Sequence, residues 1–242
     1  MNQEQPDLAG TMELVANVEG WMSPGQAATL FEAAVNCPSG GVIVEIGSFR
    51  GRSTIVLATA ADPSVQVVAI DPHAGNDRGP QEIDGFENEA ADDHGLFAAN
   101  LAAAGVADRV RHIREFSDAA LDVIDHEIDV LYIDGAHRYA PARADICAWG
   151  DRVNDGGTML IHDSFSSVGV TLAILRSLVF GGRFRYVGRA RSMTIYRADL
   201  SANTSARLRN AGRQLAQLPW FVRNVALKVL ISLKLVTAEW PY

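Results

Sequence analysis

Hydrophobic and polar positions divide this chain into two kinds of segment that alternate. Short apolar runs, typical of buried strands, are each followed by a longer segment in which apolar residues recur every three or four positions, as in amphipathic helices. The predicted strands are Val42–Ile46, Val65–Ile70, Val110–Arg114, Ile128–Ile133 and Thr158–Ile161. This alternation predicts a parallel sheet that is covered by helices on both faces.

The remaining segments complete the predicted fold. Arg185–Gly188 and Ser192–Arg197 have the pattern of a closing antiparallel hairpin, and the tail from Thr204 onward has a helical pattern. Pro24–Ala34 has the start signals of a helix, with Ser23 as N-cap and proline at the first helical position. We therefore expect a doubly wound α/β fold with a mostly parallel seven-stranded sheet, a closing hairpin and C-terminal helices.

Composition and charge narrow the function classes. The net charge of −8 over 242 residues argues against a nucleic-acid-binding protein, because such proteins need cations that contact phosphates. The two cysteines, Cys37 and Cys147, are too few for a disulfide framework and are expected to be reduced. The N-terminus lacks the pattern of a signal peptide, and no apolar stretch is long enough to span a membrane. A cytoplasmic protein is therefore expected.

Charge also separates two segments from the rest of the chain. Residues 74–95 are polar, acidic and glycine-containing, and we expect either a lid over the site or a solvated loop. Residues 1–200 are expected to form the main domain. Residues 201–242 are basic and apolar, and we expect this extension to pack on the domain or on a second subunit of a homodimer. A helix that lies on a membrane surface is the alternative for this extension.

Acidic residues stand at the ends of the predicted strands. They are Glu45, Asp71, Asp134 and the pair His162-Asp163. Ligands of parallel α/β sheets bind at the carboxyl ends of the strands. Because clustered carboxylates repel one another unless a ligand, a metal ion or a base accompanies them, these strand ends predict a functional site.

The first strand end carries the clearest motif. The segment VIVEIGSFRGRS (42–53) places Glu45, Gly47 and Gly51 at a turn between a strand and a helix. It is neither a phosphate-binding loop with Gly-Lys-Ser/Thr nor a Gly-x-Gly-x-x-Gly turn. With Asp71 in AIDPH about 20 residues on, where an acid can accept hydrogen bonds from a ribose, the pair of motifs resembles the class I S-adenosylmethionine-dependent methyltransferases. The resemblance implies that Asp71 contacts the ribose of the cofactor and that Phe116 or Ser117 contacts the adenine. The residues implied to contact the methionine end are Glu45, Gly47, Ser48 and Gly51, and Ser53 and Asp134 complete the cofactor site.

The fourth and fifth strand ends add a second pair of motifs. LYIDGAHRY (131–139) and LIHDSF (160–165) resemble the metal-dependent sugar O-methyltransferases. That resemblance implies a Mg²⁺ (or Mn²⁺) site formed by Asp134, Asp163 and His162, although a carboxylate often stands at the position of His162. His137 is the candidate general base, and a histidine that bonds to the backbone at a helix start is the alternative. Asp145 on the following helix fits either a surface pair with Arg143 or a supporting role at the site.

The sequence thus predicts Mg²⁺-dependent methyl transfer from S-adenosylmethionine to a sugar hydroxyl of a polysaccharide, a glycolipid or a glycosylated metabolite. A small molecule or an oligosaccharide is the expected acceptor. One alternative is a methyltransferase that acts on a catechol or a flavonoid, for which only 7% aromatic residues is mildly unfavourable. The other is a hydroxylase-like or non-catalytic relative with the same fold.

Overall fold

A seven-stranded sheet organises the computed structural model, which describes residues 7–75, 87–201 and 203–238. Its strands are β1 (Val42–Ile46), β2 (Gln66–Ile70), β3 (Val110–Ile113), β4 (Ile128–Ile133), β5 (Val153–Ile161), β6 (Arg185–Ala190) and β7 (Met193–Arg197). The strand order is β3-β2-β1-β4-β5-β7-β6, with β1 to β5 parallel and the β6–β7 hairpin antiparallel. The predicted fold class is confirmed.

Helices cover both faces of this sheet. They are α1 (Leu8–Leu14), α2 (Pro24–Val35), α3 (Arg52–Ala60), α4 (Glu87–Ala103), α5 (Ser117–Ala120), α6 (Tyr139–Ala148), α7 (Val168–Ser177), α8 (Thr204–Leu215) and α9 (Leu218–Ser232). Because side chains alternate along a strand, Val44 of β1 joins the core under α6 and α7, whereas Ile43 joins the core under α2 and α3. Glu45 therefore points to the same face as Ile43, under α3.

Two predicted boundaries differ from the structure by more than two residues. The predicted strand Thr158–Ile161 begins earlier, because Asn154–Gly157, which have the composition of a turn, lie inside β5, where the pairing with β4 shifts register and Gly156 adopts a φ of +79°. This local irregularity explains why turn residues occur within a strand. Helix α4 covers Glu87–Ala103, so the last part of the expected loop is helical. Residues 76–86 of the expected lid lie outside the described residues.

The C-terminal helices pack on the domain through buried amides. Asn210 of α8 accepts a hydrogen bond from the backbone N–H of Tyr186 (2.7 Å) and donates one to the carbonyl of Phe184 (3.0 Å). Asn224 of α9 donates to the carbonyl of Phe165 (3.0 Å), and it is fully buried. Polar side chains therefore hold the C-terminal extension on the domain. The apolar pattern of the sequence gave no information about these polar contacts. Within the described part of the chain, no helix combines the length and apolarity needed to cross a bilayer.

Candidate functional site

A cavity of about 530 Å³ opens at the carboxyl ends of β1, β2, β4 and β5. Its volume lies in the range of small-molecule sites. Most of the predicted site residues line it: Gly47, Ser48, Ser53, Asp71, Phe116, Ser117, Asp134, His137, His162 and Asp163. Glu45 and Gly51 lie behind this lining. The topology thus brings the two sets of sequence motifs to one cavity.

The glycine turn needs both of its glycines. Gly47 has a φ of +85°, and a Cβ there would lie 2.2 Å from the carbonyl oxygen of Asp134. Gly51 has a φ of +86° and begins α3, and a Cβ there would lie 2.6 Å from Leu101. A side chain at Gly47 would force the backbones of β1 and β4 apart, and one at Gly51 would collide with the side chain of Leu101. The turn therefore lets β1 and β4 approach each other closely at the edge of the cavity.

Asp71 ties this turn to the end of β2. Its Oδ2 accepts hydrogen bonds from the backbone N–H groups of Ser48 (2.9 Å) and Phe49 (2.8 Å), and its Oδ1 accepts one from His73 (2.8 Å). A carboxylate offers about four acceptor positions, so three backbone bonds leave capacity for a ligand hydroxyl. Asp71 thus shapes the turn as well as facing the cavity.

Glu45 is buried beneath the turn. Its carboxyl group accepts hydrogen bonds from the hydroxyls of Ser53 and Thr54 at the start of α3. Burial raises the pKa of Glu45 to about 8, against the opposing effect of those two hydroxyls. With no exposed surface, Glu45 is positioned to hold α3 onto β1. The resemblance implied that Glu45 contacts the methionine part of the cofactor. Because its side chain is fully buried, Glu45 could act on a cofactor in the cavity only through another residue.

The adenine end of the expected site contains a residue that the sequence left undecided. The hydroxyl of Ser117 donates to Oδ1 of Asp145 at 2.5 Å, and Asp145 is only 5% exposed. Burial raises the pKa of Asp145 to about 6, although the Ser117 bond lowers it. Asp145 is therefore a buried carboxyl group in the cavity wall and not a surface partner of Arg143. Phe116 next to it is half exposed and lines the same wall.

An N-terminal segment closes the side of the cavity, and the sequence did not predict it. Trp21 packs against Phe49 of the glycine turn with ring centroids 5.3 Å apart. Arg50 forms ion pairs with Glu19 and, at 2.8 Å, with Asp93 of α4. These contacts join three segments that are distant in sequence, so local patterns gave no signal for them.

His137 and Asp163 contact each other on the opposite side of the cavity. Their Nε2 and Oδ2 atoms lie 3.2 Å apart, and both side chains are mostly buried. Burial raises the pKa of Asp163, but the neighbouring positive charges, that of His137 first, outweigh burial and lower it well below its ordinary value. An ionised Asp163 holds the proton of His137 on Nε2, and in that tautomer Nδ1 is the basic nitrogen.

A tight turn sets the position of this pair. Asp163 and Phe165 both have a positive φ, +52° and +55°, in the turn between β5 and α7. The backbone at Gly169, in the first turn of α7, packs so closely that a Cβ would lie 2.1 Å from the carbonyl oxygen of His137. Ser167 also donates to this carbonyl at 3.2 Å. The start of α7 therefore fixes the loop that carries His137.

Asp134 contacts the side chains of Tyr132 and His162. The hydroxyl of Tyr132 donates to its Oδ2 at 2.8 Å, and Nδ1 of His162 lies 3.0 Å from its Oδ1. Gln26 contacts the other ring nitrogen of His162 through its amide nitrogen, at 3.1 Å. Since the amide oxygen of Gln26 accepts from Ser23 in the capping box of α2, the amide nitrogen must donate to His162 Nε2. Nδ1 of His162, which faces Asp134, then carries a proton.

This arrangement does not fit the expected three-ligand metal site. A nitrogen that carries a proton cannot bind a metal ion, so His162 is placed to orient Asp134 instead of acting as a ligand. Asp163 is engaged by His137. Among the described residues, no group of three or more His, Cys, Asp or Glu side chains is arranged to hold a metal ion. The Mg²⁺ or Mn²⁺ site expected from Asp134, His162 and Asp163 is therefore not supported.

Solved structures share this fold. The O-methyltransferase NovP matches with a TM-score of 0.60 and 17% identity, over 76% of this chain and 84% of NovP. TomG of Streptomyces achromogenes, an O-methyltransferase involved in tomaymycin synthesis and solved with SAM, matches at 0.55 and 18%, over 81% and 91%. An O-methyltransferase of Bacillus cereus solved with SAH matches at 0.52 and 17%, over 82% and 93%. At these identities the likeness establishes the fold.

The family follows from the sequence itself. A family model described as a methyltransferase domain matches residues 44–164, which is half of the chain. The matched region runs from β1 to the turn after β5 and includes the glycine turn, Asp71, His137 and Asp163. The chain therefore belongs to this family of methyltransferase domains.

Proposed function

We propose that the protein is an O-methyltransferase that transfers the methyl group of S-adenosylmethionine to a hydroxyl group, with a sugar hydroxyl as the acceptor. One observation carries the proposal: the His137–Asp163 pair lines the same cavity as the glycine turn. The family and the cofactor-bound O-methyltransferases of the same fold support the choice of methyl donor and acceptor atom.

The residues of the cavity fit such a donor. The turn at Gly47 leaves room where any side chain would collide with the backbone of β4. Asp71 retains acceptor capacity for ribose hydroxyls, and Asp145 offers a carboxyl group to an adenine amino group. When bound, S-adenosylmethionine supplies an electrophilic methyl group on a positively charged sulfur. The carboxylate of Asp134 adds negative charge to the wall of the cavity that would receive it.

His137 acts as the general base in this proposal. A hydroxyl placed against the imidazole gives up its proton as its oxygen forms the bond to the methyl carbon, and the bond between that carbon and sulfur breaks. Asp163 orients the ring and stabilises the imidazolium that results. Serine hydrolases activate an aliphatic hydroxyl with the same pairing of histidine and carboxylate. A sugar hydroxyl is therefore within the reach of this pair, and a catechol or flavonoid hydroxyl, being more acidic, is the alternative acceptor.

Metal dependence, which the sequence suggested, is not part of this proposal. The side chain of His162 is engaged by Gln26 and Asp134, and the base can act without a cation. We expect methyl transfer to proceed in EDTA at close to its rate with added Mg²⁺. Loss of activity in EDTA that Mg²⁺ restores would return Asp134 and Asp163 to the role of metal ligands.

The decisive experiment separates donor binding from base catalysis. S-adenosylhomocysteine binding is measured by calorimetry, and methyl transfer from labelled S-adenosylmethionine is screened over sugars, oligosaccharides and catechols. His137→Ala is expected to lower turnover by about 10²- to 10⁴-fold with little change in S-adenosylhomocysteine affinity. His126→Ala is the control, because His126 is a mostly exposed histidine outside the cavity lining. No S-adenosylhomocysteine binding would refute the donor, and normal turnover of the His137 variant would refute the base.

A further inference from the structure

Helix α9 has two apolar faces, of which the domain covers one. Its sequence, LPWFVRNVALKVLIS, carries only two charged residues over 15 positions. One face packs on the domain through Trp220, Phe221 and the buried Asn224. A helix that is apolar all round is expected to be covered on every side, so the outer face needs an explanation.

The outer face forms one continuous stripe. Val222, Ala226, Val229 and Leu233 follow one another at spacings of four, three and four residues, which places them on one side of a helix. Val222 is 64% exposed, Val229 51% and Leu233 61%. The apolar surface continues past the helix end with Leu235 and Val236, which are also exposed. We call these residues (Val222, Ala226, Val229, Leu233, Leu235 and Val236) the outer stripe of α9.

Cations accompany this stripe. Arg223 and Lys234 are exposed beside it. Over residues 201–242 the sequence contains one acidic residue, Glu239, against six basic residues: Arg207, Arg209, Arg213, Arg223, Lys228 and Lys234. A basic helix with an exposed apolar face is the pattern of helices that lie in the interface of an anionic membrane.

Symmetry argues against a second copy as the occupant. In a two-fold dimer the same patch meets itself, so Arg223 and Lys234 would face the cations of an identical helix, and Glu239 is the one acidic residue of the tail. An anionic bilayer would cover the apolar stripe and would place negatively charged headgroups next to its cations.

We infer that the outer stripe of α9 docks the protein on an anionic membrane surface, with Arg223 and Lys234 at the level of the lipid headgroups. Because the buried face of the same helix bonds to Phe165, two residues from Asp163, docking would place the methyltransferase site beside the membrane. This inference concerns the surface of α9 and does not depend on the acceptor or on His137 as the base.

The test is sedimentation of the full chain with vesicles. Binding is expected with a mixture of phosphatidylcholine and phosphatidylglycerol, weakly or not at all with phosphatidylcholine alone, and should fall as salt is raised. The triple variant V222Q/V229Q/L233Q should lose binding by at least tenfold while retaining its thermal midpoint and its affinity for S-adenosylhomocysteine. The variant R223Q/K234Q should lose about 30-fold at low salt.

The control is a substitution of an exposed apolar residue that lies away from α9. Val35→Gln is the matched control, since Val35 is 48% exposed on α2, which packs on the other face of the sheet. Absence of binding to the anionic vesicles by the unchanged protein would overturn the inference. So would a dimer in analytical ultracentrifugation that the triple variant abolishes, because the stripe would then be a subunit interface.

Discussion

The two sides of the cavity are built from different kinds of contact. On the β1–β2 side, backbone N–H groups and glycines form the site, and Asp71 holds them together. On the β4–β5 side, pairs of side chains form it, and the pair His137–Asp163 joins two loops from different parts of the chain. Backbone contacts bind any ligand of the right shape, whereas oriented side-chain pairs transfer protons. The β1–β2 side therefore suits binding of the methyl donor, and the β4–β5 side suits proton transfer from the acceptor hydroxyl.

The strongest test of this division is Gly169→Ala. The added methyl group would collide with the carbonyl of His137, so the loop that carries the base must move. A displacement of about 1 Å costs about 10²-fold in rate, and we expect that loss in turnover with S-adenosylhomocysteine affinity changed less than about twofold. Gly212→Ala on α8 is the control, because a Cβ there meets open space. Equal losses of affinity and turnover would show that the two sides are not separable.

The reciprocal test is Asp71→Asn. An amide nitrogen in place of Oδ2 would face the N–H groups of Ser48 and Phe49 and leave them unpaired. We expect S-adenosylhomocysteine affinity, measured by calorimetry, to fall about 30-fold, together with about 1–3 kcal/mol of stability. Asp62→Asn, at an exposed carboxylate that accepts from the backbone of Ser64, is the control. Unchanged affinity would remove Asp71 from the donor site.

A smaller effect is expected from the titration of Asp145. Its pKa of about 6 lies above the ordinary value because of burial, so the carboxyl group is protonated below pH 6 and ionised above it. If the ionised form accepts a bond from the adenine amino group, S-adenosylhomocysteine affinity should rise about tenfold from pH 5 to pH 7. Asp145→Asn should flatten this dependence. A pH profile that the variant shares with the unchanged protein would assign the titration to another group.

The smallest effect is expected at Glu45, the acid of the glycine motif. With a pKa of about 8, Glu45 is mostly protonated at pH 7, and glutamine resembles that form. Glu45→Gln should change S-adenosylhomocysteine affinity less than about twofold. Because the folded pKa is raised, the stabilising contribution of wild-type Glu45 is full below pH 4.5 and is lost as pH rises through 8. The variant should therefore become the more stable protein at pH 9 in thermal unfolding. A large loss of affinity at pH 7 would restore a direct contact with the donor.

The candidate site was predictable to different degrees on its two sides. The glycine turn and Asp71 were readable because each belongs to a short motif whose backbone conformation only certain residues adopt. His137 and Asp163 were readable as motif residues, but not as partners of each other. Gln26 carried a local signal, the capping box with Ser23, yet nothing in that box pointed to His162. Gly169 and the contacts of Trp21 and Arg50 depend on segments that meet only in the fold.

The sequence by itself determined the order of strands and helices along the chain, the position of the acidic residues at the carboxyl ends of the strands, and the glycine turn. These follow from periodicity and from local backbone chemistry, which act over a few neighbouring residues. Only the tertiary structure decided that Glu45 is buried, that Asp163 holds His137, and that His162 is engaged by Gln26 and Asp134. It also decided that α9 leaves an apolar face exposed. Burial, protonation and pairing depend on which segments the fold brings together, and that information is absent from any single stretch of the chain.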